Sequence, residues 1–334
     1  MKTILRLAVL ALAGTAVLAF AGNALATQKL SVRQTTTSLT IKVSQAQTDP
    51  QPLKVSIYVP TGYTINTSAT AGTKIGSTTG TVFSRDANIP LPLSGDVVAA
   101  ADSSAPACDP VPHLAVWNLA LSVAGQNITL PLHVDQLSGA EAALGAYKLV
   151  VCLAPDDVPV GTPGRSPNGA RLLDATFTVD NIFTVPAGQS IWKAITTPWA
   201  GGVPNAAGTV ETRAFVANGA VTLAKKVNAK QRLVKFTGKV TQAGAGVSGA
   251  RVVLLVNGKS AGFTARANAS GSYSVVLKKT GKKTTSTFQA RTTVAERDIT
   301  ATGCASPTPG IPGGCVSATA SPFTAVSGKI RIRL

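Results

Sequence analysis

The chain is short of histidine, of carboxylates and of long apolar runs, and each shortage removes a class of function. Its 334 residues hold two histidines, His113 and His133. No H-E-x-x-H is present, which excludes a zincin-type centre. Asp135 lies two residues beyond His133, on the same face if that strand is regular. Even so, the expectation for both histidines is an uncoordinated place on a strand surface. No G-x-x-x-x-G-K-[ST] loop is present, which excludes P-loop phosphate chemistry. Glycoside hydrolysis needs two facing carboxylates. The one adjacent acidic pair, Asp156-Asp157, sits in a stretch carrying Pro155, Pro159, Pro163 and Pro167. There a solvated loop or a weak calcium ligand is expected. Beyond residue 26 no apolar run approaches the roughly 20 residues of a helical membrane span, so no transmembrane segment is expected in the mature chain.

The first 26 residues differ from the rest. Lys2 and Arg6 precede an apolar run from Leu7 to Phe20, and Ala24-Leu25-Ala26 forms a small-x-small site. That layout predicts a cleaved secretory signal peptide over 1–26, with a mature chain starting at Thr27.

Charge divides the remainder. Residues 27–215 carry 11 Lys and Arg against 12 Asp and Glu. Residues 216–231 add Lys225, Lys226 and Lys230 with no acid. Residues 232–334 carry 15 cations against only Glu296 and Asp298. This reads as a near-neutral domain over 27–215, a linker over 216–231 and a basic domain over 232–334. Four cysteines fall two to each end, Cys108 and Cys152, then Cys304 and Cys315. An even count behind an export signal predicts disulfides, and the charge division favours Cys108–Cys152 and Cys304–Cys315. Neither pair has the C-x-x-C spacing of a zinc site.

Short alternating runs separated by Gly, Pro and Asn predict an all-β chain. Leu119, Leu121 and Val123 alternate up to Ala124-Gly125, and Ile128, Leu130, Leu132 and Val134 alternate back, which predicts a hairpin. Pro131 places that second strand at a sheet edge. Asn257-Gly258 marks another hairpin. Trp192 and Trp199 lie in a stretch rich in Pro and Gly. They read either as a binding platform or, preferably, as residues sealing the end of a sandwich. Lys329 to Leu334 alternates cation and aliphatic strictly, as a strand with one face on a core.

Gly238-Lys239-Val240, Gly246-Val247-Ser248-Gly249-Ala250-Arg251-Val252 and Asn268-Ala269-Ser270-Gly271-Ser272-Tyr273 together resemble a bacterial immunoglobulin-like module. Within that group they are most similar to carboxypeptidase regulatory-like domains. The match covers residues 234–280, and Asn268 stands where the family commonly has Asp. The resemblance implies a β-sandwich serving as a non-catalytic spacer, adhesive or fold-stabilising unit. No family is identified for residues 27–215.

The expectation is therefore a secreted protein of two β-sandwich, Ig-like domains, without enzymatic activity or cofactor. Lys278, Lys279, Lys282 and Lys283 gather four cations around one turn, a candidate contact for anionic cell-wall polymer or polysaccharide. The competing reading of those lysines is a solvated surface that blunts sheet edges. Aromatic residues are scarce in the basic region, which argues against stacking on single-stranded bases, and no sequence-specific nucleic-acid partner is expected. Two further readings stay open: a hydrolase with its site in the first domain and the second as accessory, and a structural spacer with no ligand.

Overall fold

The computed structural model describes residues 27–101, 108, 112–184, 186, 188–278 and 284–333. The segment 1–26 lies outside them. Nearly every described element is a strand. In chain order the first fourteen are β1 (Lys29–Gln34), β2 (Ser38–Ser44), β3 (Pro52–Val59), β4 (Thr64–Ile65), β5 (Lys74–Ser84), β6 (Ile89–Ala99), β7 (Ala115–Val123), β8 (Gln126–Gln136), β9 (Tyr147–Cys152), β10 (Ala170–Asp180), β11 (Phe183–Thr184), β12 (Ser190–Ala200), β13 (Val203–Pro204) and β14 (Val210–Val216). Most of them join one large sheet in the order β1-β2-β10-β5-β6-β7-β8-β9-β3-β12-β14.

That sheet curls until its ends meet. Ser317 Oγ donates to Gln28 O at 2.6 Å and Thr319 Oγ1 donates to Leu30 O at 2.7 Å, so side-chain hydroxyls tie β1 to the far end. Glycine makes the curl sterically accessible. A Cβ on Gly76, Gly80 or Gly95 would overlap a carbonyl oxygen of the neighbouring strand. Alternation along each strand turns apolar side chains inward, and they form one core from Leu30 on β1 to Val216 on β14.

The predicted hairpin is β7–β8, turning at Ala124 (φ 49°) and Gly125 (φ 78°), the left-handed pair of a type I′ turn. The edge position expected from Pro131 holds for the first part of the strand only. β8 pairs with β7 along most of its length, but the β9 ladder starts at Leu132, so the strand is an edge from Gln126 through Pro131 and is interior beyond it.

The next strands are β15 (Gly219–Val221), β16 (Ala224–Asn228), β17 (Leu233–Gln242), β18 (Ala245–Gly246), β19 (Arg251–Val256), β20 (Lys259–Arg266), β21 (Ser272–Lys278) and β22 (Thr285–Val294). They build a smaller two-layer sandwich. One layer centres on β17, flanked by β15 and β16 on one side and β18 and β21 on the other. The second runs β20-β19-β22. Val234, Phe236 and Val240 of β17 are fully buried, each contributing about 1.5–3 kcal/mol by the removal of apolar surface from water. Between them Lys235, Thr237 and Lys239 face out. Asn257 (φ 49°) and Gly258 (φ 78°) make the expected β19–β20 turn.

The expected boundaries need two corrections. Residues 216–231 are not a linker, because β15 and β16 lie within them and pair with β17. β16 is exposed at every position, so its lysines conceal an edge strand whose hydrophobic pattern is weak. The basic stretch is also not continuous in space. After β22 the chain leaves the sandwich to form β23 (Arg297–Asp298), the short helix α1 (Thr300–Gly303) and β24 (Cys315–Ala320). β24 pairs in parallel with β14, and β23 pairs with β24, which extends the large sheet. Only then do β25 (Phe323–Val326) and β26 (Ile330–Arg333) return to pair with β22. The expected alternation holds in β26, with Ile332 buried and Arg331 and Arg333 exposed.

The chain thus crosses three times between the two bodies, after β14, after β22 and after β24. Gln242 ties the first and last crossings together, its Nε2 donating to Ala217 O and Ser321 O, both at 3.0 Å.

Candidate functional site: a sandwich without carboxylates

The excursion over residues 295–322 changes the electrostatics of the sandwich. Glu296 and Asp298, the two acids of the tail, both lie on it, and Glu296 accepts a hydrogen bond from Ser31 of β1. The strands and turns that remain, residues 219–294 and 323–333, carry 17 Lys and Arg and no Asp or Glu. Every described salt bridge falls between Lys42 and Arg213, in the large body. The sandwich therefore offers its own cations no side-chain carboxylate.

Lysine predominates on one outer face and arginine on the other, where Lys259 of β20 is also exposed. Lys226, Lys235, Lys239 and Lys278 are exposed on the β17 layer, and register sets Lys226 directly opposite Lys235. Arg251, Arg266, Arg291, Arg331 and Arg333 are exposed on the other layer, with Arg251 directly opposite Arg266. Like charges opposed across a ladder destabilise it by about 0.2–1 kcal/mol per pair. Arg251 and Arg291 line a shallow depression with Ser260, Thr264 and Thr293, so guanidinium forks and hydroxyls converge on one concave surface. Guanidinium matches planar oxyanions in a two-point geometry that an ammonium lacks.

Of the four lysines expected to meet polymer, Lys278 is described and stands exposed at the end of β21. Lys279, Lys282 and Lys283 lie outside the described residues. The arginine depression is not legible in the sequence, because its members come from three strands, β19, β20 and the more distant β22. The like-charge register is visible only once β19 and β20 are paired.

Tyr273 anchors this body. Its ring is buried, its hydroxyl donates to Thr222 O at 2.5 Å, and burial pushes its pKa up to about 12. A Cβ on Gly238 would meet both Thr222 O and the Tyr273 ring, which explains the glycine in the opening motif. Gly258-Lys259-Ser260-Ala261-Gly262 spells G-x-S-x-G. It forms the β19–β20 turn and the start of β20, not the strand-to-helix elbow that a nucleophilic serine requires.

The histidines correct the surface expectation. His133 is fully buried, and His113 Nδ1 donates to Asp135 Oδ1 at 2.5 Å with both side chains 4% exposed. The two rings lie 4.3 Å apart. Lys148, also buried, stands 3.9 Å from Asp135 and 3.2 Å from Glu141, which accepts a further bond from Tyr58 at 2.9 Å. Alternation turns His133 and Asp135 to the outside of β8, opposite Leu132 and Val134 in the core. Among the described residues no group of three or more His, Cys, Asp or Glu side chains is placed to hold a metal.

Asp156 and Asp157 diverge. Asp156 is buried against Arg171 at 2.7 Å and Arg85 at 3.5 Å. Asp157 accepts the backbone N–H groups of Gly201 and Gly202. Both serve the loop that carries them rather than a shared centre.

Both expected disulfides are present, Cys108–Cys152 and Cys304–Cys315. The second closes the loop of the excursion, beside the large sheet and not within the sandwich. A buried ion cluster grips the same loop. Arg213 donates to Glu211 Oε1 at 2.5 Å, to Ser306 O at 2.7 Å and to Gly303 O at 3.1 Å, and Glu211 Oε2 accepts Thr308 N–H at 2.7 Å. Burial acts to raise the Glu211 pKa, but the bonds from Arg213 and Thr308 outweigh it and hold the carboxyl below its ordinary range. Burial likewise lowers the pKa of the neighbouring Lys193.

Set against known proteins, the chain matches no family model, no curated sequence and no solved structure.

Proposed function

We propose that this is an exported, non-enzymatic protein of the cell envelope or extracellular space, whose small sandwich binds anionic polymer such as a cell-wall polymer or acidic polysaccharide. The observation that carries the reading is a sandwich with 17 cations, no Asp or Glu, and like charges set opposite each other at Lys226–Lys235 and Arg251–Arg266. Such an arrangement costs stability in isolation and becomes favourable when an external polyanion supplies the missing charge. The layer order, with β17 central in one sheet and β20-β19-β22 in the other, supports the immunoglobulin-like reading of this body. Two disulfides fit an oxidising compartment. The sealed His113–Asp135 pair supports a structural role for the histidines over a catalytic one.

Binding of this kind follows counterion release. Affinity for a polyphosphate or heparin-like chain is expected to fall by about 10³-fold or more as salt rises from ~50 to ~200 mM, if six or more anions are engaged. The test compares the full chain with two charge-neutralised variants. One carries Arg251→Gln, Arg266→Gln and Arg291→Gln; the other carries Lys226→Gln, Lys235→Gln and Lys278→Gln. The arginine variant should lose more affinity and flatten the salt dependence. Affinity that stays constant between ~50 and ~500 mM salt would remove the electrostatic basis. Duplexes of different base sequence should compete equally, and a strong preference among them would point to base readout instead.

A further inference from the structure

The interior of the large sheet is not filled evenly. One end is packed solid with aromatic rings. Trp192 meets Tyr63 at 5.1 Å and Phe183 at 6.3 Å between ring centroids, and Trp117 stacks on Phe177 at 6.1 Å. Tyr63, Trp117, Phe177, Phe183 and Trp192 are all buried. The other end is aliphatic and hollow. Two cavities of about 80 and 170 Å³ lie there and share Leu93, Leu121, Leu130, Leu153 and Leu172 as common wall. Inward-facing Leu130 and Leu172 belong to the core yet remain partly accessible, as an unfilled interior requires.

Sequence explains why the space exists. Gly80 and Gly95 occupy inward positions in register with Ala175, Leu93 and Leu121, where a larger side chain would both enter the space and strike the neighbouring strand. Along β8 the lining runs from Gln126 at the mouth to Leu132, about 20 Å at ~3.3 Å per residue. The space is thus elongated along the strands.

Two polar atoms inside it carry the inference further. Thr78 Oγ1 is buried in the deep, aliphatic part, and Ser166 Oγ is buried near the mouth, and neither has a hydrogen-bond partner among the described residues. Thr78 is 2% exposed and shares its inward face with Phe177 and Gly95. Buried hydroxyls are ordinarily paired. Exposed Gln126 and Asn168 mark the open end, with Ser166, Gln51 and Ser84 buried beside it, so polarity is concentrated at that end and nearly absent behind it. An apolar shaft with a polar rim is the arrangement that takes a chain by its tail and leaves its head at the surface.

We propose that the hollow end of the curled sheet is a binding chamber for one unbranched aliphatic chain, inserted tail first with its oxygen-bearing head at the Ser166–Gln126 rim. The site is distinct from the cationic sandwich and does not depend on the polymer-binding reading.

The experiment titrates the full, disulfide-intact chain with dodecanoic acid and, separately, with monododecanoylglycerol, both below micelle-forming concentration. Calorimetry and tryptophan emission are the readouts, since Trp117 stacks on Phe177, which lines the chamber. Saturable one-to-one binding of both probes identifies the esterified or free chain as the determinant. Binding of the acid alone identifies free fatty acid as the source. Leu130→Trp fills the shared wall and should weaken binding at least about tenfold while far-UV circular dichroism stays unchanged. Should that variant fail to fold, Thr78→Val, which keeps side-chain volume, should tighten binding about threefold by removing the desolvated hydroxyl. The proposal is overturned if neither probe binds saturably up to about 1 mM, or if the folded variants bind as the unaltered chain does.

Discussion

Arg213→Ala tests how the excursion over residues 295–322 is held to the large sheet. Arg213 is 8% exposed and gives its guanidinium to the Glu211 carboxylate and to two backbone carbonyls of the excursion, Gly303 O and Ser306 O. Truncation leaves Glu211, itself fully buried, as an uncompensated charge and strands both carbonyls. Removing one partner of a buried pair costs about 3–5 kcal/mol. For chains of this size each kcal/mol moves Tm by roughly 2–4 °C, so a fall of roughly 6–20 °C is expected. Scanning calorimetry at pH 7 is the assay. Glu211→Gln with Arg213→Gln should cost less than the two single changes added together, because no charge is left behind. The same cluster predicts acid sensitivity. The Glu211 pKa is depressed in the folded state, so its stabilisation is present above the ordinary value of 4.5 and is lost as pH falls through the lower folded value. Glu211→Gln should flatten that part of the pH profile. An Arg213→Ala chain melting within ~1 °C of the parent, with an unchanged acid limb, would refute the clip.

Tyr273 makes the opposite prediction at high pH. Its folded pKa is raised from 10.0 to about 12, so stability is complete below pH 10 and declines as pH rises towards and through 12, by up to about 3 kcal/mol. Tyr273→Phe should remove that alkaline component in chemical-denaturation curves, and a parent chain equally stable at pH 9 and 11.5 would contradict it. Gly95→Ala should destabilise by about 1–3 kcal/mol, because the new methyl group overlaps Ala120 O on the adjacent strand. Gly328→Ala, with open space around it and no left-handed angle, should stay within ~0.5 kcal/mol. Equal effects at the two glycines would contradict the curl argument.

The strands were legible where both faces obeyed a period of two. β7 and β8, β17, β19 and β26 all stand where alternation and turn residues placed them. The disulfide pairs followed from the charge division, although the reason they pair is different: Cys304 and Cys315 close a loop against the large sheet. The candidate site was legible only as composition. Alternation within one strand says which residues face out, but not which outward residues become neighbours. Register decides that, and it set Arg251 against Arg266 and Lys226 against Lys235.

The residue string alone determined an all-β chain, the turn at Asn257-Gly258 and a basic tail with two acids, because backbone preference and side-chain period are local properties. Tertiary pairing decided where the tail goes. β24 finds β14 across a separation of about a hundred residues, and no local signal distinguishes that partner from another strand edge. That one pairing carries Glu296 and Asp298 out of the sandwich and leaves its cations without a carboxylate. The hollow in the large sheet is likewise a product of closure, since a cavity belongs to the volume between strands and to no strand by itself.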